Sequence, residues 1–164
     1  MKPLSSAVTQ HLDALAIPYG VIEIPLADDL KPIRSLEALL SAQGIDPGSV
    51  VRSVLFKTDP GGFCLLAVAG QGRADWALLR AHCQVRKCRM AELEEVLSAT
   101  GYAVGAVPPI ALPSTVRVLV DASVQSYDTV VIGSGVLGYA LTLRTEDLFK
   151  CFINNEIGNF VKVE

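Results

Sequence analysis

The segment that most constrains the fold covers residues 101–113 and reads GYAVGAVPPIALP. Pro108 and Pro109 lack a backbone N–H and hold φ at about −65°, so neither suits a helix interior or a central strand. The residue before each proline is pushed toward an extended conformation. Gly101 and Gly105 permit backbone geometries or close approaches that a Cβ would forbid. The sequence therefore predicts a stiff, extended, mostly apolar loop, which is either a connection or a rigid part of a site.

Composition indicates a packed globular protein. With 164 residues, of which 51% are hydrophobic, we expect one domain spanning residues 1–164 that buries about two thirds of its unfolded surface. The net charge of −3 argues against broad electrostatic binding of nucleic acid but permits a local basic face. No apolar run reaches the roughly 18 residues that a membrane span needs, and the N-terminus lacks a signal-peptide pattern. We therefore expect a cytoplasmic protein without a membrane partner.

Hydrophobic periodicity predicts an α+β fold. Helices are expected over residues 4–16, 35–42, 75–81, 91–99 and 145–152, with Ser5 or Ser6, Ser35, Asp75 and Thr145 at their starts. Strands are expected over residues 19–24, 50–57, 63–69, 116–120, 129–132, 139–143 and 158–163. The second and third of these strands flank a Pro-Gly-Gly turn and predict a hairpin. Hairpins with helices between them indicate a mixed, mostly antiparallel, curved sheet with surrounding helices.

A glycine-rich segment at residues 133–138, GSGVLG, matches the dinucleotide-binding pattern G-x-G-x-x-G. That pattern requires a helix that opens on the glycines, with its N-terminus facing a pyrophosphate. Residues 139–143 alternate like a strand instead. A hairpin turn, which can still offer amides to a phosphate or carboxylate, is therefore favoured over a nucleotide-dependent oxidoreductase.

Candidate metal ligands and acid–base groups are few. His82, Cys83 and Cys88 provide three potential ligands without a fourth nearby, which favours helix-end packing over a zinc site. The four cysteines suit reduced, buried thiols. With two histidines in the chain and no cluster of acids, the sequence lacks evident general-base machinery. We expect no metal and no cofactor.

Basic residues carry more information. Arg52 and Lys57 are an odd number of positions apart on one expected strand and should face opposite sides of the sheet. Arg52 lies in an apolar strand, so its head is expected to reach solvent, a carboxylate or an anionic ligand. A further cluster could be a phosphate-facing rim or a solvated charged face: Arg73, Arg80, Arg86, Lys87 and Arg89.

The order of several segments resembles the YbaK/ProX family of aminoacyl-tRNA deacylases, which are related to the editing domain inserted in bacterial prolyl-tRNA synthetases. These segments are residues 17–20, 50–56, 100–109, 118–121 and 133–138. The strongest is T-G-Y-x-x-G-x-x-x-P at residues 100–109. The resemblance covers about residues 4–163 and implies the single-domain fold of that family.

The resemblance also implies a reaction and a site. The reaction is hydrolysis of the ester that links a wrong amino acid to the 3′ end of a tRNA, with substrate groups, an ordered water and backbone contacts contributing to catalysis. The implied catalytic residues are Arg52, Gly105 and Pro109. The implied substrate-binding residues are Tyr19, Ser53, Val107, Pro108, Gly133, Ser134, Gly135 and Gly138.

Two positions depart from the family pattern. Arg52 replaces the strand lysine of the family, with Ser53 at the following threonine, and Ala140 aligns with an aspartate of some members. Arginine keeps the charge but cannot act as an amine base.

Two functions remain open on these residues. The leading one is a free-standing trans-editing hydrolase that acts on a tRNA misacylated with a small amino acid. Its partners would be the acceptor end of that tRNA and an aminoacyl-tRNA synthetase. The alternative is a non-catalytic homologue that binds an aminoacyl-tRNA, a nucleotide or an amino-acid-like ligand in the same cleft.

Overall fold

The computed structural model describes residues 4–152 and 156–162. Its helices are Ala7–Ala14 (α1), Leu36–Ala42 (α2), Trp76–Cys83 (α3), Leu93–Thr100 (α4) and Thr145–Lys150 (α5). Its strands are Gly20–Glu23 (β1), Val51–Asp59 (β2), Phe63–Ala69 (β3), Lys87–Met90 (β4), Arg117–Asp121 (β5), Thr129–Gly133 (β6), Tyr139–Arg144 (β7) and Ile157–Gly158 (β8).

The strands form two sheets, with orders β1-β7-β6 and β4-β2-β3-β5-β8. Neighbouring strands are antiparallel except for the β3–β5 and β5–β8 pairs, which are parallel. The two sheets meet where Val50 and Val131 form a parallel bridge. The predicted α+β fold with a mixed, mostly antiparallel arrangement is confirmed. The sequence predicts one sheet, and the structure has two.

The main core lies between the two sheets. Val51 and Val120 of the larger sheet share one buried cluster with Ile132 and Leu141 of the smaller sheet and with Leu12 of α1. Because successive side chains of a strand point to opposite faces, the alternate residues of the larger sheet face away from this cluster. They pack in a second cluster with Leu79 of α3. Helices and the smaller sheet thus cover both faces of the larger sheet.

Several predicted helix caps are confirmed, and one is wrong. Ser6, Ser35 and Asp75 each accept a hydrogen bond from a backbone N–H in the first turn of the following helix. Thr145 is not a cap, because Arg144 is the N-cap residue of α5. The Thr145 hydroxyl instead donates to the Tyr127 carbonyl.

The ends of the larger sheet differ from the sequence prediction. Strand β4 falls in a charged segment that was predicted as a rim or a solvated face. It pairs with β2 at the edge of the sheet, where charged side chains are common. The predicted last strand at residues 158–163 is represented by β8 and by a bridge between Ala74 and Val161. Val163 lies outside the described residues.

The proline-rich loop docks on the glycine turn. Residues 101–116 form no helix or strand, and Pro108 and Pro109 are buried. The Gly135 N–H donates to the Ala106 carbonyl at 2.9 Å. A Cβ on Gly133 would lie 2.4 Å from the carbonyl oxygen of Val107. The predicted hairpin turn at residues 133–138 is confirmed, since β6 and β7 pair antiparallel across it.

The close approach at Gly133 yields the first testable prediction. We expect Gly133→Ala to lower the free energy of unfolding by about 1–3 kcal/mol. The new Cβ would meet the backbone carbonyls of Val107 and Ala106, and neither can rotate away as a side chain could. The measurement is urea unfolding followed by circular dichroism. Gly62→Ala is the matched control, since a Cβ there would meet nothing within 4 Å. Equal stability of the two variants would contradict the proposed tight docking.

Candidate functional site

A cavity of about 380 Å³ lies where several parts of the chain meet. Most of its lining comes from strand β2, the β4–α4 connection, the proline-rich loop and the β6–β7 hairpin, with Ile24 and Leu36 from the region of β1 and α2. Its lining includes Val51, Arg52, Ser53, Leu55, Met90, Ala91, Leu93, Val96, Val104, Gly105, Val107, Ile132, Gly133, Tyr139 and Ala140. The fold thus assembles five of the predicted site residues around one cavity: Arg52, Ser53, Gly105, Val107 and Gly133.

The lining is mostly apolar. Its polar residues are Arg52, Ser53 and Tyr139. Among the described residues that line it, none is Asp, Glu, His, Lys or Cys. Apolar cavities of this size with a few polar groups are typical small-ligand sites. Such a lining can bind and orient an apolar group, and any proton transfer there has to involve water or the ligand.

Ser53 is the most informative polar group of the cavity. It lies on the same face of β2 as Val51 and Leu55, both of which are buried. The Ser53 Oγ is itself buried and has no hydrogen-bond partner among the described residues. A buried hydroxyl without a partner is costly. A bound ligand or an ordered water would remove that cost.

Arg52 faces the other side of the strand. Its Nε donates to the Gly70 carbonyl at 2.7 Å, and its Nη2 donates to the Gly72 carbonyl. The sequence predicts that the guanidinium of Arg52 contacts solvent, a carboxylate or an anion. Backbone carbonyls satisfy a guanidinium equally well. Arg52 therefore ties the start of β2 to the loop that follows β3, and its predicted role at the site stays a prediction.

The proline-rich loop contributes its backbone to the cavity. Gly105 has φ +97°, a conformation that side chains with a Cβ rarely adopt. The N–H groups of Gly105 and Val107 donate no hydrogen bond to any residue that the structure describes. Pro108 does not line the cavity, and Pro109 lines a neighbouring one of about 490 Å³. The prolines therefore act on the cavity through the course of the loop.

The glycine turn at residues 133–138 borders the cavity. Of the four predicted site residues in this turn, Gly133 alone lines the cavity. Ser134 is fully buried; its Oγ accepts from the Val136 N–H at 3.1 Å and lies 2.8 Å from the Tyr139 carbonyl oxygen. A Cβ on Gly135 would lie 2.9 Å from the Tyr102 ring. The Gly138 carbonyl accepts from the Ile24 N–H at 2.7 Å. These three residues hold the turn in shape.

Tyr19 lies away from the cavity. It packs at the edge of the main core beside α1. Partial burial, followed by the charge of Asp13, raises the pKa of Tyr19 above its ordinary value. Its predicted contact with substrate stays a prediction.

Tyr139, Met90 and Leu93 line the cavity and were missed from the sequence. Tyr139 directly follows the glycine turn, and that adjacency is the signal that could have identified it. Met90 and Leu93 are exposed apolar residues, with relative exposures of 55% and 71%. They come to the cavity through the pairing of β4 with β2, which the sequence did not predict.

The candidate zinc ligands do not converge. His82 Nε2 lies 3.2 Å from Glu156, and its ring packs edge-on against Phe160. Cys88 Sγ is 3.8 Å from the Trp76 carbonyl oxygen. Across residues 4–152 and 156–162, no group of three or more His, Cys, Asp or Glu side chains could hold a metal ion. Every helix in those same ranges falls short of what crossing a bilayer demands.

Solved structures with this fold are known. The chain superimposes on the hypothetical protein APE2540 with a TM-score of 0.81 at 22% identity, covering 96% of this chain and 100% of that one. It superimposes on a candidate trans-editing enzyme for prolyl tRNA synthetase with a TM-score of 0.78 at 22% identity, covering 98% and 100%. At this identity the likeness concerns the fold alone.

Curated relatives match part of the chain. The proline–tRNA ligase of Thermotoga maritima (strain ATCC 43589) is 30% identical over 101 residues, which are 62% of this chain and 17% of that protein. The proline–tRNA ligase of Kosmotoga olearia is 26% identical over 107 residues, which are 65% of this chain and 18% of that protein. The chain thus spans less than a fifth of the length of these relatives.

A family model provides the assignment. The model described as the aminoacyl-tRNA editing domain matches residues 31–151. The match begins before β2 and ends after α5, so it includes the strand, the loop and the glycine turn that form the cavity. Since this match covers most of the 164 residues, the chain belongs to the aminoacyl-tRNA editing domain family.

Proposed function

We propose that the protein is a free-standing trans-editing deacylase that hydrolyses the ester of a tRNA carrying a small amino acid. In this reaction water adds to the ester carbonyl carbon and the bond to the ribose oxygen breaks. The products are the free amino acid and a tRNA with its terminal hydroxyl restored. Membership of the aminoacyl-tRNA editing domain family supports this reaction.

The observation that carries the proposal is the buried Ser53 Oγ, which has no hydrogen-bond partner in the described part of the chain and lies in an apolar cavity of about 380 Å³. The hydroxyl can donate to, or accept from, a polar atom of a bound aminoacyl ester. The valine, leucine, isoleucine and alanine side chains around it suit a small apolar side chain. The modest volume, which the ribose has to share, favours a small amino acid over a large one.

Positioning is the main catalytic device in this proposal. The free N–H groups of Gly105 and Val107 are candidate donors to the oxyanion that develops when water attacks the ester. A rigid loop holds such donors in place before the reaction begins, which lowers the cost of reorganisation. The described lining has no acidic or imidazole group, so the attacking water is oriented by Ser53, by these amides and by groups of the substrate itself.

The other predicted site residues have supporting roles in this proposal. Arg52 orders β2 beside Ser53 through its two bonds to glycine carbonyls, and its remaining N–H groups are available to a terminal phosphate. Pro108 and Pro109 stiffen the loop. Ser134, Gly135 and Gly138 maintain the turn on which the loop rests. Tyr19 acts indirectly, through the packing of α1.

We also propose the setting in which the protein acts. Residues 1–164 would form one editing domain that works in the cytoplasm on the acceptor end of a tRNA. The similarity to proline–tRNA ligases supports an aminoacyl-tRNA synthetase as a further partner.

A second candidate is a non-catalytic homologue that binds an aminoacyl-tRNA, a nucleotide or an amino-acid-like ligand. It is favoured by Ala140, an apolar residue that is 3% exposed and lines the cavity, at the position that the resemblance to the YbaK/ProX family aligns with an aspartate of some members. The two candidates differ in one observable: only the deacylase releases the amino acid.

The reaction is tested by incubating the protein with a panel of misacylated tRNAs and following the loss of ester. We expect a small amino acid to be released, and Ser53→Ala to lower kcat/KM by about two- to tenfold, because one hydrogen bond contributes about 0.5–1.5 kcal/mol. The free energy of unfolding should not fall in this variant, since the Ser53 hydroxyl has no hydrogen-bond partner in residues 4–152 and 156–162.

Two control variants sharpen this experiment. Ser53→Thr keeps a hydroxyl on a strand and should retain most of the activity. Ser41→Ala, which removes an exposed hydroxyl on α2, should change neither activity nor stability. Binding of every ester without release of any amino acid would overturn the deacylase and leave the binding protein.

A separate prediction concerns Arg52. We expect Arg52→Ala to lower the free energy of unfolding by about 1.5–3 kcal/mol, because two backbone carbonyls lose a charged donor. Urea unfolding measures this change, with Arg34→Ala, the removal of an exposed arginine, as control. If Arg52→Ala were as stable as Arg34→Ala while KM for the tRNA rose, the arginine would be a direct ligand of the substrate and not an organiser of β2.

A further inference from the structure

A second cavity, of about 530 Å³, is strongly basic. Its lining contains five of the 14 lysine and arginine residues of the chain but one acidic residue, Asp59. The five cations are Lys57, Arg80, Arg86, Lys87 and Arg89. Because the whole chain has a net charge of −3, this concentration of positive charge is a local feature and not a consequence of composition.

Most of these cations lack an acidic partner among the residues that the structure describes. Arg89 forms a two-pronged ion pair with Glu95, with N–O distances of 2.7 and 3.1 Å. Lys57, Arg80, Arg86 and Lys87 form no ion pair with any residue in the described ranges. Like charges held together without counter-charges repel each other, and a bound anion removes that repulsion.

Protection of a sheet edge does not account for this arrangement. Strand β4 is an edge strand, and charges on such a strand prevent edge-to-edge association. Lys57, however, lies on the interior strand β2, and Arg80 lies on α3. Three different elements thus direct cations to one cavity, and edge protection requires only those on β4.

The basic cavity adjoins the candidate active site along strand β2. On β4, Arg89 pairs with Lys57, and both residues line the basic cavity. On β2, Ser53 and Lys57 lie on the same face, since they are an even number of residues apart. Four residues of strand correspond to about 13 Å. A strand of nucleic acid that ends at Ser53 can therefore reach the basic cavity.

We infer that the basic cavity binds the sugar-phosphate backbone of the RNA whose 3′ ester occupies the cavity at Ser53. This inference rests on the proposed function for the identity of the RNA. Arginine forks and lysine ammonium groups are the side chains that bind phosphate oxygens. The cavity provides affinity without reading bases, so it suits a protein that must accept an acceptor end and test only the amino acid on it.

The test compares two triple variants with the same change in charge. Arg80→Ala/Arg86→Ala/Lys87→Ala removes three unpaired cations of the cavity and leaves the Arg89–Glu95 pair intact. The control, Arg144→Ala/Lys150→Ala/Lys162→Ala, removes three exposed cations elsewhere. The probe is an RNA hairpin that mimics the acceptor stem and carries a 3′ overhang without an amino acid. It is titrated at several salt concentrations.

We expect the cavity variant to raise Kd by about tenfold or more and to reduce the slope of log Kd against log salt by about three. The control variant should match the wild type. Equal binding by the two variants, or no binding of the hairpin by the wild type, would overturn the inference. Binding of inorganic triphosphate without binding of the hairpin would also overturn it, because it would identify a small-anion site.

A second readout separates this inference from the proposed function. The aminoacyl ester of adenosine carries the reacting bond but no phosphate, so the cavity variant and the wild type should hydrolyse it equally well. If the wild type hydrolysed no ester at all, the proposed function would fail while the hairpin titration still decided the role of the basic cavity.

Discussion

The close contact between the proline-rich loop and Gly133 is the constraint on which the candidate site depends. The carbonyl of Val107 occupies the space where any other residue at position 133 would carry its Cβ. The bond from the Gly135 N–H to the Ala106 carbonyl fixes the same contact from the other side. Because the loop has few N–H groups to form a ladder, it depends on this docking for its course. The wall of the cavity is therefore the outcome of one backbone-to-backbone approach.

The two cavities divide the work that an editing protein has to do. The apolar one has little charge and one buried, unpaired hydroxyl, so it can discriminate shape and hold an ester close to water. The basic one has unpaired cations and suits attraction of phosphate. Strands β2 and β4 pass through both. These two strands therefore set the distance between the cavity that binds phosphate and the cavity in which the ester reacts.

Part of this arrangement could be predicted from local sequence, and part could not. The β2–β3 hairpin, the glycine turn and the cap at Ser6 follow from turn chemistry and short-range hydrogen bonds, which neighbouring residues decide. Strand β4 was missed, because its charged residues resemble a solvated surface unless the pairing with β2 is known. The hydrogen-bond partners of Arg52 were also missed. The carbonyls of Gly70 and Gly72 lie in the loop after β3, which reaches Arg52 only in the folded chain.

The sequence by itself determined most of the helices and strands and the resemblance to the family. Proline and glycine restrict the backbone locally, and alternation of apolar residues selects strands, so the rigid loop, the turn and the α+β class could be read directly. Tertiary structure alone decided which of these residues meet. It brought Ser53, Gly105 and Gly133 around one cavity and placed the guanidinium of Arg52 on the carbonyls of Gly70 and Gly72. Contacts between residues far apart in the chain depend on strand pairing and packing, and these are properties of the whole fold.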